Sequence, residues 1–230
     1  MHKLNRIEKK IRQIGNRLVK CKKQCEGVKH NLKKGIIPRC LWFDTFKSKN
    51  NKGCIVIGIN PGIPKNEDER DFYKSKFTLY DKHLEWLKDR TYVYNKGESG
   101  YYTKLVNFIR SVGIKGPIHW TDLVKCQFKR KGRKLPPKDT ISICTGKFLM
   151  KELKIIPRKW PIIAVATSVF KQVKNNHEHS VIGIPHPTGS HGDFDGLIGS
   201  KKKLSEIKKL LSKSRKMFQQ AQWFQGKSRS

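Results

Sequence analysis

Three short segments of this 230-residue chain carry the side chains best suited to hold a small polar ligand. They are Gly58-Ile59-Asn60-Pro61-Gly62, Thr121-Asp122-Leu123-Val124-Lys125-Cys126 and His186-Pro187-Thr188-Gly189-Ser190-His191-Gly192. Each follows an apolar run of strand character, and in open α/β sheets ligands bind beyond the carboxyl ends of the strands. Taken singly they are ordinary, because Gly-x-Asn-Pro-Gly makes a turn and a histidine before proline sits in many loops. Their shared position at the ends of the first, second and fourth expected strands makes them candidates and predicts that all three converge on one cleft. Six cysteines form the other chemically capable set: Cys21, Cys25, Cys40, Cys54, Cys126 and Cys144. In a reducing compartment they read as metal ligands or buried small hydrophobes rather than as disulfides. Cys54, inside an apolar run, reads as core.

The elements that must position these segments follow from hydrophobic periodicity. Cys54-Ile55-Val56-Ile57-Gly58-Ile59 is short, β-branched and continuously apolar, as expected of a parallel strand buried on both faces. Residues 117–123, 161–167 and 180–185 repeat the theme, with helical patterns at 70–89, 101–112, 138–153 and 168–175. Strands alternating with helices predict an α/β fold, three-layer α/β/α around a mostly parallel sheet of about four strands. Leu4, Ile7, Ile11, Ile14 and Leu18 mark a basic amphipathic helix. Continued to Cys21 and Cys25, it would place both sulfurs on one side at i and i+4. Leu41, Trp42 and Phe43 tuck against the core. After a glycine-rich loop, a second basic helix carries Leu204, Ile207, Leu210 and Leu211, and residues 219–230 read as a frayed tail. The expected organisation is a basic helix at 1–20, one domain at 21–200, and a basic helix with tail at 201–230.

Lys and Arg number 51 against 18 Asp and Glu, for a formal net charge of +33. A surface this basic seeks a polyanion, because neutralised phosphates release condensed counterions and make binding strong and salt-dependent. A charge-rich solvated surface is the plainer alternative. DNA is the expected partner. No segment approaches the ~20 apolar residues of a membrane span, and residues 1–20 lack the apolar stretch of a signal peptide. The expectation is a cytoplasmic, nucleoid-associated monomer that makes no membrane contact. A Rossmann-type cofactor site is disfavoured, since Gly-x-Gly-x-x-Gly is absent after the first strand.

In order and placement these motifs resemble the uracil-DNA glycosylase superfamily, over roughly residues 20–195. The first motif, Gly58-Ile59-Asn60-Pro61-Gly62, is similar to that of the mismatch-specific thymine and uracil glycosylases; the resemblance implies that Asn60 holds the attacking water and that Gly58 and Ile59 line the base pocket. The superfamily's last motif begins with His-Pro. Its histidine donates to the departing base, a role that falls on His186, and Thr188, Gly189, Ser190, His191 and Gly192 match the loop that enters the minor groove. The nearer resemblance is to the iron-sulfur, family 4-like branch. Thr121 to Cys126, then Leu135-Pro136-Pro137 and Ile143-Cys144, look like the branch's stretch with two cluster cysteines, here separated by seventeen residues. Cys21 and Cys25 stand where the branch has its amino-terminal pair, and Cys40 is an alternative to one of them. The implied cofactor is a [4Fe-4S] cluster on Cys21, Cys25, Cys126 and Cys144; zinc would accept the same ligands.

Two departures bear on function. Three residues separate Cys21 from Cys25, where the branch usually has two. Asp122 stands where the branch usually has an asparagine that reads the uracil edge. An ionised carboxylate only accepts hydrogen bonds, so it repels a uracil O4 while accepting from N3-H or from an exocyclic amine. Asp122 therefore implies an altered base preference, a raised carboxyl pKa in a dry pocket, or lost activity. The branch also stacks an aromatic ring on the flipped base, for which Phe72, Tyr73 and Tyr94 are the candidates. Trp86 and Phe108, at helical spacing, read as core.

The implied activity is that of a monofunctional DNA glycosylase hydrolysing the N-glycosidic bond of uracil or another deaminated or damaged base, with no lysine nucleophile. Lys201, Lys202 and Lys203, and the basic run Lys129, Arg130, Lys131, Arg133 and Lys134, are candidates to grip flanking phosphates. The cluster would brace a DNA-contacting loop. Two other readings stand beside this one: a catalytically silent nucleic-acid-binding protein on the same fold, and a zinc-stabilised RNA-binding protein.

Overall fold

The computed structural model describes residues 2–29, 38, 41–44, 52–61, 100–128, 135–176, 178–188, 192–213 and 221–226. In chain order the elements are α1 (His2–Val19), β1 (Val28–Lys29), β2 (Leu41–Asp44), β3 (Cys54–Gly58), α2 (Gly100–Ser111), β4 (Ile118–Asp122) and β5 (Gln127–Phe128). There follow α3 (Lys138–Cys144), a π-helical segment (Thr145–Leu149), α4 (Met150–Ile155), β6 (Ile162–Val165), α5 (Thr167–Val173), β7 (Val181–Ile184), α6 (Asp193–Gly199), α7 (Lys201–Lys213) and β8 (Ala221–Trp223).

The fold is mixed α/β, with a mostly parallel central sheet flanked by helices and strand order β2-β4-β3-β6-β7-β8. Every residue of β3, β4, β6 and β7 is buried, which is why β3, β6 and β7 read as continuous apolar runs, whereas β4 buries the polar His119, Thr121 and Asp122 as well. The pairs β3–β6, β6–β7 and β7–β8 are parallel, with Val56 opposite Ile163, Ile163 opposite Ile182, and Ile182 opposite Gln222. Cys54 N donates to Pro117 O at the start of β3 and Leu123 N to Gly58 O at its end, so β3 and β4 also run the same way. The sheet therefore exceeds the expected four strands. Its extra members are the edge strands β2, whose apolar Leu41, Trp42 and Phe43 read as core-facing but not as a strand, and β8, which is too short to stand out in periodicity.

The chain divides into two compact units, Met1–Phe43 with Gly58–Leu87 and Trp120–Ile156, and Asp44–Ile57 with Lys88–His119 and Pro157–Ser230. In the first, α1 buries Ile7, Ile11, Ile14, Leu18 and Val19 and packs on α4. The helix stops at Val19, short of both cysteines. Most helical stability comes from a packed apolar face, and this stripe ends at Leu18 and Val19, so nothing holds Lys20 to Cys25 helical. Beyond it, β1 and β5 form an antiparallel pair with Val28 opposite Phe128. Gly27 makes the turn into β1 at φ +73°, where a Cβ would also lie 3.0 Å from the Phe128 ring. Trp42 of β2 stacks on Trp120 of β4 at 5.6 Å.

In the second unit α5 packs on β6 and β7, and Trp160 is fully buried, its carbonyl 2.8 Å from His179 Nδ1. The glycine-rich stretch read as a loop is partly helix α6. Phe194 and Leu197 give it a buried face, Phe108 meets Phe194 at 6.0 Å, and Asp193 and Asp195 in its first turn complement the helix dipole. The tail is likewise ordered where it is described. Past β8, Phe224 is buried, Gly226 N donates to Asp193 Oδ1 at 2.7 Å, and Lys203 Nζ donates to the carbonyls of Gln225 and Gly226. A Cβ on Gly226 would fall 1.8 Å from Asp193 O, so only glycine fits there. Among the described residues no helix is long and apolar enough to cross a membrane.

Candidate functional site

Two of the three strand exits meet within the first unit. Leu123 N donates to Gly58 O at 2.9 Å and Val124 N to Ile59 O at 3.0 Å, so the segment after β3 continues the ladder with the segment after β4. This pairing brings Gly58 and Ile59 alongside Leu123 and Val124, directly after Asp122. Asn60 is half-buried, and its Nδ2 donates to Pro61 O at 2.8 Å. With the amide nitrogen turned back on the chain, Oδ1 is the atom oriented to accept. Asp122 is buried at the end of β4, and its carbonyl accepts from Lys125 Nζ at 2.8 Å.

That lysine belongs to a network the sequence does not announce. Lys125 Nζ lies 2.9 Å from Glu152 Oε1, and neither side chain is exposed. It also donates to Thr121 Oγ1, which in turn donates to Glu152 Oε2 at 2.6 Å. A buried ammonium and carboxylate are tolerable only when paired and hydrogen-bonded. The signal that could have found them is polarity out of place. Lys125 sits between Val124 and Cys126, and Glu152 occupies a position on the apolar stripe of Leu149, Leu153 and Ile156.

Immediately beside this network, Cys21, Cys25, Cys126 and Cys144 line one pocket with Leu18, Pro38, Ile143 and Phe148, rimmed by Lys23, Lys125 and Lys147. Cys126 and Cys144 are buried, Cys21 and Cys25 half-buried, and Cys54 is fully buried in β3. The cysteine pair reaches the pocket from the irregular segment after α1, not from a continued helix face. Burial pushes the Cys126 thiol up, and Cys144, Cys21 and Cys25 push it further by charge repulsion. Burial and then Cys21 raise Cys25. Burial raises Cys144, although the Lys125 N-H, donating to its Sγ at 3.3 Å, pulls the other way. Thiols that resist ionisation because of burial, and then because of one another, are the donor set a cation relieves.

The cavity among them is small, about 20 Å³. Among the described residues no three His, Cys, Asp or Glu side chains close on one point as the ligands of a single ion do. Zinc takes four thiolates on one ion and a [4Fe-4S] cluster takes one thiolate per iron, so four cysteines suit either group. In type and number of donors, and in the N-H···S bond to Cys144, the four cysteines fit a thiolate-bound zinc ion or iron-sulfur cluster.

His186 follows β7 in the second unit. Its Nδ1 accepts from Thr188 N at 3.3 Å and lies 3.4 Å from Thr188 Oγ1. A backbone donor on Nδ1 puts the proton of a neutral ring on Nε2. Tyr101, in the first turn of α2, tilts against the imidazole at 5.2 Å between ring centroids and meets Tyr102 edge-on at 5.1 Å. The sequence did not mark Tyr101, and its position after Gly100 carried no signal. Lys201 and Lys202 are exposed at the start of α7, whereas Lys203 is drawn back onto the Gln225 and Gly226 carbonyls. Cys40, Gly62, Phe72, Tyr73, Trp86, Tyr94, Gly189, Ser190, His191 and the basic run 129–134 lie outside the described residues, as does the helical pattern at 70–89.

Set against known proteins, the chain matches no protein-family model and no curated protein sequence.

Proposed function

We propose that the protein is a monofunctional DNA glycosylase acting in base-excision repair, a monomer working in the cytoplasm on the nucleoid, with a [4Fe-4S] cluster on Cys21, Cys25, Cys126 and Cys144. The observation that carries this reading is the gathering of those four cysteines, from segments far apart in the chain, around one pocket, as the superfamily's iron-sulfur branch requires. The adjoining exits of β3 and β4 and the state of His186 supply support of a second kind.

A base stacked in a duplex is out of reach, so the nucleotide is flipped out and the protein grips the flanking phosphates. The net charge of +33 favours that grip, with Lys201 and Lys202 among the exposed cations. Asn60 Oδ1 accepts a hydrogen bond from a water and aligns it on C1′ of the sugar. As the glycosidic bond breaks, negative charge builds on the base, and His186 donates Nε2-H to it. Thr188 N-H keeps the ring in the tautomer that can donate. Asp122 accepts from N-H groups on the base edge. A cluster on the four cysteines supplies bracing for the segments that carry them.

Asp122 favours a second reading, a catalytically silent DNA-binding protein on the same fold. Oligonucleotides containing uracil, hypoxanthine or a mismatch, incubated with the purified protein and treated with alkali, separate the two. Alkali-labile sites lost in Asn60→Ala establish the glycosylase; tight, salt-sensitive binding with no cleavage of any substrate establishes the silent binder.

A further inference from the structure

Lys147 stands on the π-helical segment that begins directly after Cys144. Its Nζ donates to Cys21 Sγ at 3.4 Å. The ammonium also lies 5.5 Å from the centre of the Phe148 ring, a cation–π contact that restrains the long side chain. A π turn is rare in helices and is frequently found at functional sites. Here the turn contains Lys147, which lines the cysteine pocket. The two hydrogen-bonded sulfurs are thus served differently: buried Cys144 takes the Lys125 backbone N-H, and half-buried Cys21 takes a side-chain cation.

We propose that Lys147 is a positioning residue of the cysteine site, orienting Cys21 and compensating the negative charge of the thiolate-bound metal group. The proposal rests on the reading of the four cysteines as metal ligands. Four thiolates leave such a group net negative, and a cation within hydrogen-bond distance of one sulfur stabilises the most negative state most. In an iron-sulfur cluster that state is the reduced one, so Lys147 raises the reduction potential. With either metal it also slows loss of the group through Cys21, which is held less by burial than Cys126 and Cys144.

The test uses full-length protein purified anaerobically, with iron and zinc measured first. Wild type, Lys147→Gln and Lys147→Arg are then compared in metal release to excess chelator and, where iron is present, in a reductive titration followed by electron paramagnetic resonance. In Lys147→Gln metal release accelerates on the order of tenfold or more, as for other residues that support metal ligands, and the midpoint potential moves to more negative values. Lys147→Arg restores both, and thermal unfolding of the metal-free proteins is the same for all three. A Gln variant that matches wild type in release and potential overturns the role of Lys147 and leaves the cysteine site standing, as does an Arg variant no better than Gln. Wild-type protein that holds neither iron nor zinc, even after reconstitution, overturns the cysteine site and the role of Lys147 with it.

Discussion

Lys125 and Glu152 face each other at 2.9 Å with neither side chain reached by solvent, joined through Thr121. Lys125 occupies a junction: its Nζ holds the Asp122 carbonyl while its backbone N-H holds Cys144 Sγ. Breaking one side of such a pair strands a charge in the interior and costs roughly 3–5 kcal/mol, whereas replacing both partners by apolar groups of similar volume is often neutral. Lys125→Met and Glu152→Leu should each destabilise by about that amount in urea unfolding, and the double variant should recover most of the loss. Additive losses would show that the two residues do not act as a pair.

His186 and Asn60 should separate catalysis from binding. Removing a preorganised donor aimed at developing charge costs roughly 10²–10³ in rate. His186→Ala is therefore expected to slow base release by that factor in single-turnover assays while salt-dependent DNA binding stays within about twofold. A substitution that weakens binding as much as it slows release would assign His186 to docking. Thr188→Pro, which removes the N-H that fixes the imidazole tautomer, should slow base release in the same direction.

Cys54 makes stability fall at alkaline pH. Burial in β3 pushes its thiol from 9.0 up to about 12. In the unfolded chain the thiol ionises first, so the folded state binds the extra proton between those values and stability declines as pH rises. The slope is at most about 1.4 kcal/mol per pH unit for one group. Well below pH 9 the thiol is protonated in both states and Cys54 contributes no pH dependence. Cys54→Ala should flatten the decline between pH 9 and 12 by that amount, measured by chemical denaturation, even though its stability at neutral pH is lower. An unchanged slope would show that Cys54 ionises in the folded protein.

Ala166, between β6 and α5, holds φ +79° and ψ 151°, a region that is almost exclusively glycine's. Its N-H donates to Ile184 O at 2.9 Å and its carbonyl accepts from Phe170 N, and these bonds hold the strained conformation. Strain of this kind costs about 1–3 kcal/mol. Ala166→Gly relieves it but adds backbone entropy to the unfolded chain, roughly 0.5–1 kcal/mol. The net expectation is a modest gain in melting temperature, and a loss would show that Ala166 is relaxed.

Three of the four buried strands, β3, β6 and β7, were legible because burial on both faces writes itself as a continuous apolar run, and all four, β4 with its polar His119, Thr121 and Asp122 included, are found within a few residues of their expected bounds. The strand exits and the cysteine spacing were legible for a related reason, since both are local patterns of residue type. The end of α1 was not, because it depends on where the packed stripe stops. Neither edge strand could be read, since β2 and β8 take their definition from a neighbour's backbone and not from their own residues. The sequence by itself thus determined the α/β class, the buried strands and the chemical types available after them. The tertiary structure alone decided that Lys125 meets Glu152, that Lys147 meets Cys21, that Tyr101 meets His186 and that the tail closes on Asp193 and Lys203. A hydrogen bond or ion pair needs two groups within about 3 Å, and most of these pairs are formed by residues far apart in the chain.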